Sequence, residues 1–283
     1  MCVAGGLVRT PCKFLCKSAM RGDRKQMTPR DHATVLQLTD LHLFAEPDGL
    51  FHGVNTRESF EQVVRHVRQH HQNPDVILLT GDLAHDGKPE TYQYIADALA
   101  VFSAPVHCVL GNHDHPDAAH CVYPRHPISM DDHCVLRNWQ ILLLTANHAS
   151  ARGGDQIEFS ESALQRASAL ISEHSEKWAL IATHYNLPEH RDRGVAVEVR
   201  NHLQVMQQLE QQPAIKLVIS GHVHQEFLVV QNGICYLSTP ATGYQSTSKS
   251  GRVTGEAPGY RWINLYPNGR FDTDVRRVTF WAS

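Results

Sequence analysis

Val76-Ile77-Leu78-Leu79-Thr80-Gly81-Asp82, VILLTGD, is the stretch that decides the fold. An apolar run proceeds without a charged residue and stops at a Gly-Asp pair. A strand that alternates would have one wet face, whereas a continuous apolar run belongs to a strand covered on both faces, as in a largely parallel sheet. The same grammar recurs along the chain. VLQLT at 35–39 runs into Asp40 and His42, and VHCVL at 106–110 into Gly111-Asn112-His113-Asp114. WALIAT at 178–183 runs into His184, and IKLVIS at 215–220 into Gly221-His222-Val223-His224. ILLLT at 141–145 is a sixth run of this kind.

Helical patterns separate the runs. Residues 55–71 place Phe60, Val63, Val64 and Val67 on one face, with Asn55 and Glu58 spaced as a capping box. Pro89 opens a second helix to about Val101, where a proline in the first turn gives up no hydrogen bond. Ser160 to about His174 and Asn201 to Gln211 give two more. Short strands near 227–238 and 262–275 read as a closing meander, with turns at Gly233 and Pro267-Asn268-Gly269. The Ser/Thr/Gly/Pro-rich stretch 239–261 reads as a long loop of functional or mobile character. Strands alternating with helices define an α/β chain, and no repeat or linker divides it.

Ligands in an open α/β sheet bind beyond the carboxyl ends of its strands. The five polar motifs are therefore expected to converge on one sheet edge. Together they offer two aspartates, four histidines and one asparagine: Asp40, His42, Asp82, Asn112, His184, His222 and His224. These are oxygen and nitrogen donors with no thiolate, which suits manganese, iron or zinc in a reactive site better than a structural cysteine-zinc site. Seven donors exceed the needs of one tetrahedral ion. Two ions sharing a carboxylate are the natural solution. Two divalent ions set against two aspartates and a hydroxide leave the site with about one positive charge. Such a site attracts a phosphodiester without a basic surface patch.

The bulk composition agrees. The 283 residues bound one large domain with 42% hydrophobic residues, and the net charge of -3 argues against a general nucleic-acid binder. Seven cysteines, an odd number with no C-x-x-C pair, point to a reducing compartment, with Cys108 as a buried core thiol. No apolar run reaches the length of a membrane span. A cytoplasmic monomer or homodimer is expected. Residues 1–33 read as a disordered basic extension and 34–283 as the catalytic domain, with Met27 an alternative start.

The ordered set D-x-H, GD, GNHD, H, GH-x-H resembles the calcineurin-like metallophosphoesterase superfamily over about residues 34–275. Within it, LQLTDLHLF, HGVNTRESF, TGDLAHDG, LGNHD, NWQILLL, GHVHQE and APGYRWI are most similar to bacterial class III 3′,5′-cyclic-nucleotide phosphodiesterases. The resemblance implies a four-layer α/β/β/α sandwich. It implies one metal on Asp40, His42, Asp82 and His224, and another on Asp82, Asn112, His184 and His222, with Asp82 as the bridge. It further implies hydrolysis of a cyclic nucleotide such as cyclic AMP to the 5′-monophosphate by a metal-bridging hydroxide. His113 is then the general acid at the leaving oxygen, and Asp114 the carboxylate that orients it. His42, Asp82, Asn112, His113 and His224 are expected to border the substrate. Where the family often has a second histidine, Tyr185 follows His184, and it is expected at the substrate entrance. His85 faces either substrate or solvent; the remaining histidines, among them His66, His70 and His71, are read as surface or helix-face residues.

Other readings are a glycerophosphodiesterase, a nucleotide-sugar or lipid-precursor pyrophosphatase, a protein phosphatase, or a metal-stabilised regulator. A lipid substrate calls for an apolar, basic lid, and none is evident. A protein phosphatase calls for an arginine soon after the GD motif, and GDLAHDGKPE has none.

Overall fold

The computed structural model describes residues 31–71, 73–125, 128–151, 154–190, 194–246 and 254–279. The expectations placed on residues 1–30, including the Met27 start, lie outside the described residues. Two mixed six-stranded sheets form the centre. The first contains β1 (Ala33–Leu38), β4 (Val76–Thr80), β5 (Val106–Val109), β6 (Ile128–Ser129), β15 (Gly259–Leu265) and β16 (Phe271–Arg277), in the order β16-β15-β1-β4-β5-β6. β1, β4, β5 and β6 are parallel, and β15 and β16 close the far side antiparallel. The second contains β7 (His133–Leu136), β8 (Trp139–Leu144), β11 (Trp178–Thr183), β12 (Ile215–Ser220), β13 (Phe227–Gln231) and β14 (Ile234–Ser238), in the order β13-β14-β12-β11-β8-β7. Its four central strands are parallel, with one antiparallel strand at each edge. Two hairpins lie apart: β2 (Leu50–Phe51) with β3 (Val54–Asn55), and β9 (Asn147–Ala151) with β10 (Gly154–Glu158).

The continuous apolar runs are explained by three hydrophobic layers. Val35, Val76, Leu78, Leu180, Ala182, Leu217 and Ile219 meet between the sheets. The alternate residues Leu36, Leu38, Ile77 and Leu79 face α1 (Thr56–His70), α2 (Pro89–Leu99) and α3 (Pro116–Val122). On the other side, Ala179, Ile181 and Val218 face α4 (Glu161–Glu173) and α5 (His202–Glu210). Both faces of every central strand are therefore dry, and the molecule is the four-layer α/β/β/α sandwich that the sequence implies. Fully burying one such aliphatic side chain is worth about 1.5–3 kcal/mol.

The helix starts follow their caps. Asn55 accepts the Glu58 N–H through its side-chain oxygen at 3.0 Å, and Ser160 does the same for Ala163 at 3.1 Å. Cys108 is buried within the core, as expected. One expectation needs correction. The ligand motifs lie at the ends of strands from two sheets, not one, because three runs join the first sheet and two the second. The stretch 239–261 runs into β15 at its last three residues; its described residues before that are irregular, as expected of a loop, and Thr239 to Gln245 is buried and pinned to the first motif, with the Thr242 N–H on Thr39 O at 2.8 Å and the Gly243 N–H on Asp40 O at 3.0 Å.

Candidate metal centre

All five motifs meet where β1, β4, β5, β11 and β12 end. Asp40, His42, Asp82, His222 and His224 adopt left-handed backbone conformations, with φ between 46° and 69°. Non-glycine residues pay a steric cost there and keep it chiefly at functional sites. Five such residues in three of the five motifs turn their side chains back over the strand ends.

Glycines make room for the convergence. A Cβ on Gly111 would collide with Asp82 and come within 2.8 Å of His184 Nε2. A Cβ on Gly221 would collide with Thr39 and Asp40. In these two motifs the glycine is thus required by the approach of side chains from a different motif.

The donors fall into two groups, and within each the candidate ligand atoms lie within 4.8 Å of one another: Asp40, His42 and His224, and then Asp82, His184 and His222. Asp82 stands between the groups. One of its oxygens is 3.5 Å from His42 Nε2 and the other 3.4 Å from His184 Nε2. His224 Nε2 is 3.3 Å from Asp40 Oδ1 and 3.3 Å from His42 Nε2. Asn112 Oδ1 is 3.2 Å from His184 Nε2, which adds the seventh donor to the second group. Backbone N–H groups hold the carboxylates in place. His222 N–H donates to both oxygens of Asp40, and His113 N–H donates to Asp82 Oδ1 at 2.9 Å.

Charge explains why cations belong here. Asp40 and Asp82 are completely buried. Burial alone would raise their pKa values, but His224 beside Asp40 and His184 beside Asp82 overcome it and hold both below the usual carboxylate range. Burial pushes His42 down to about 3, so this imidazole is neutral and has a lone pair to give. His184 rises to about 9, because Asp82 and Asp40 outweigh the effect of burial. Two buried carboxylates and converging imidazole nitrogens are a costly arrangement without a multivalent cation among them. The donor set fits two ions.

The neighbours of the donors differ from expectation in two places. Asp114 does not hydrogen-bond the His113 ring. Its carboxylate accepts the N–H groups of Leu83, Ala84 and Gly111 and the Tyr92 hydroxyl. It therefore ties the GD and GNHD turns together, and burial followed by the nearby Asp82 raises it to about 6. Tyr185 is not at the entrance. It is 1% exposed, its ring lies 4.6 Å from the His222 ring, and its hydroxyl donates to Asn112 Oδ1 at 3.3 Å. It packs behind the donors it was expected to precede.

His113 itself is exposed, and its ring stacks on His85 at 4.9 Å and sits edge-on to His42 at 4.9 Å. His85 belongs to the site: its Nδ1 is 3.4 Å from His42 Nδ1. An aromatic wall that the sequence did not announce flanks the first group. Phe51, from the β2–β3 hairpin, stacks on His42 at 4.7 Å and lies 3.9 Å from His85 and 4.6 Å from Tyr244. Tyr244 in turn lies 4.7 Å from His224. Also unread was Glu198, whose Oε2 is 3.2 Å from His222 Nε2. Phe51 and Tyr244 lie outside the polar motifs, and Glu198 sits in an irregular segment with no motif.

Comparison with known proteins agrees with this geometry. The model of the calcineurin-like phosphoesterase family matches residues 33–226. A 3′,5′-cyclic adenosine monophosphate phosphodiesterase of Escherichia coli (strain K12) is 33% identical, over 86% of this chain and 89% of its own. The protein of the same name from Pseudomonas aeruginosa is 31% identical, over 90% and 94%. Among solved structures, a dimetal phosphatase from Danio rerio superposes with a TM-score of 0.56 at 15% identity, over 87% of this chain and 99% of its own. A purple acid phosphatase from yellow lupin seeds gives 0.58 at 14%, over 87% and 52%. The structural likenesses concern the fold; the family match and the two close sequence relatives carry the assignment, and by them this chain is a calcineurin-like phosphoesterase, a hydrolase of the metallophosphoesterase superfamily.

Proposed function

We propose that this enzyme hydrolyses 3′,5′-cyclic nucleotides, cyclic AMP among them, to nucleoside 5′-monophosphates at a dinuclear metal centre. The observation that carries the reading is Asp82, which presents one oxygen to each of two donor groups. Asp40, His42 and His224 would hold one ion, and Asn112, His184 and His222 the other, with Asp82 on both. Manganese, iron and zinc all suit this set. When bound, such a pair polarises phosphoryl oxygens and supplies a nucleophile from water at neutral pH.

The chain's own residues do the rest. The His113 backbone N–H fixes Asp82, while its ring is exposed beside His85 and His42. In this reading it gives a proton to the departing 3′ oxygen as a general acid. His42, Asp82, Asn112, His113 and His224 border the substrate phosphate in this reading. Asp114 holds the two turns that carry Asp82 and Asn112. The aromatic wall of Phe51, His85 and Tyr244 supports a substrate with a flat base, since aromatic faces stack favourably. The names of the sequence relatives point the same way.

The test is a panel of cyclic nucleotides and glycerophosphodiesters, ranked by kcat/KM on manganese-loaded protein, with metal analysis of the same sample. Cyclic nucleotides are expected to lead. A glycerophosphodiester ranked first would overturn the substrate and leave the centre intact. His113→Ala is expected to lower kcat by about 10²–10⁴-fold, the usual worth of a general acid, at unchanged metal content. Loss of metal together with activity would contradict its role.

A further inference from the structure

The second donor group is finished by a segment outside the five motifs, Gly194–Asn201. This strap is pinned at three places. Val195 is 2% exposed and packs with Val223 and Phe227, next to the His222 turn. Asn186, two residues after His184, donates through Nδ2 to Ala196 O at 3.2 Å. At the far end Val199 pairs with Ile157, Arg200 N–H donates to Ile157 O at 2.8 Å, and Asn201 exchanges two hydrogen bonds with the Phe159 backbone. Val195 and Val199 are buried and Glu198 is exposed, so the strap anchors by its valines and turns Glu198 outward over the rim. The carboxylate meets His222 Nε2 at 3.2 Å.

We propose that Glu198 is a positioning residue for the metal centre: it accepts the Nε2–H of His222 and so commits Nδ1 of that ring to the ion of the second group. The inference rests on the dinuclear reading above. An imidazole has two nitrogens, and a hydrogen-bond acceptor at one selects the tautomer that leaves the other free to ligate. The same contact fixes the ring plane and strengthens its electron donation to the ion. Here the choice matters more than for His184. His184 has its Nδ1 against Thr80 O at 2.9 Å, inside the fold, so its tautomer is set by backbone. His222 stands at the rim, with a side chain 14% exposed, and its Nε2 faces the Glu198 carboxylate.

Magnitudes separate this role from the plain alternative. As an ordinary exposed ion pair, Glu198–His222 would contribute little to anything. As the partner of a ligating histidine, its loss should weaken metal binding by about 10–100-fold.

The experiment compares the full chain with its Glu198→Ala and Glu198→Gln variants, titrating manganese by calorimetry and counting ions per chain by elemental analysis. Thermal unfolding of the metal-free proteins checks the fold. For the starting protein two binding events are expected. Glu198→Ala should weaken one of them by about 10–100-fold, leave the other unchanged and leave the metal-free unfolding temperature where it was. Glu198→Gln keeps an acceptor for the Nε2–H and should recover much of the lost affinity. In a His222→Ala background, Glu198→Ala should cause no further loss. Two events of unchanged affinity in Glu198→Ala would overturn the proposal, as would a glutamine variant as weak as the alanine one, which would make Glu198 a direct ligand. A single event in the unaltered protein would instead sink the dinuclear reading beneath it.

Discussion

The two donor groups are built differently. Asp40, His42 and His224 are 0%, 1% and 5% exposed and lie beneath Phe51 and Tyr244. Of the second group, Asp82 and His184 are just as buried, but Asn112 is exposed and His222 is only partly covered. One half of the centre is sealed by aromatic rings. The other opens to solvent and is steadied by Glu198 from an irregular strap. The difference teaches that strand ends of the two sheets gather the donors, while a short hairpin, a buried loop and a strap outside those sheets cover or flank them.

The largest expected effect removes the comparison. Asp82→Asn weakens the one carboxylate that faces both groups, and metal analysis should then show depletion of both ions with hydrolysis near background. Retention of one full ion would show that the halves are independent. Next in size are two glycine substitutions that strike the carboxylates directly. Gly221→Ala forces a methyl into Thr39 and Asp40, and Gly111→Ala forces one into Asp82 and His184. Each should cost about 1–3 kcal/mol, as overpacking does, read as a lower melting temperature. Gly221→Ala should disturb the first group through Asp40, whose carboxylate also accepts the His222 N–H, and metal analysis of the variant should show a loss of bound ions.

A smaller effect is expected at the aromatic wall. Phe51→Ala should raise KM for cyclic nucleotides by about 2- to 10-fold, the worth of one aromatic contact (~0.5–1.5 kcal/mol), and leave a diester without a base unaffected. Equal changes on both substrates would assign Phe51 to packing of His42 alone. The smallest effect lies far from the centre. The Tyr260 hydroxyl is bonded to His66 Nδ1 at 3.1 Å and His71 Nε2 at 2.7 Å, so these helix-face residues tie α1 to β15. Burial, then neighbouring cationic groups, holds both histidines below their ordinary 6.5. A depressed histidine means the unfolded chain binds the extra proton first, so its contribution is present above about pH 6.5 and is lost as pH falls below it. Denaturant unfolding between pH 7.5 and 5 should show a modest decline that the double variant His66→Gln/His71→Gln reduces.

Much of this was legible because burial on two faces writes an unbroken apolar run, and a motif at the end of each run marks a strand terminus. VILLTGD and IKLVISGHVH report both strand and donor in one stretch. What the runs do not report is sheet membership. Nothing in VLQLT or WALIAT says that the first joins one sheet and the second another, so the motifs were expected on a single edge. Asp114 was misread because a carboxylate beside a histidine is an economical guess, while its partners include two backbone N–H groups 31 and 30 residues away and the hydroxyl of Tyr92. Phe51, Tyr244 and Glu198 escaped because they act from a hairpin, a buried loop and a strap, whose positions follow from tertiary packing and carry no periodicity.

The central claim is that the five motifs make one centre for two ions. Crystals of the manganese-loaded protein, with anomalous scattering recorded at the manganese edge, test it most directly. The account predicts two peaks, one among Asp40, His42 and His224 and one among Asn112, His184 and His222, with Asp82 in contact with both. A single peak, or two peaks without Asp82 between them, would contradict it.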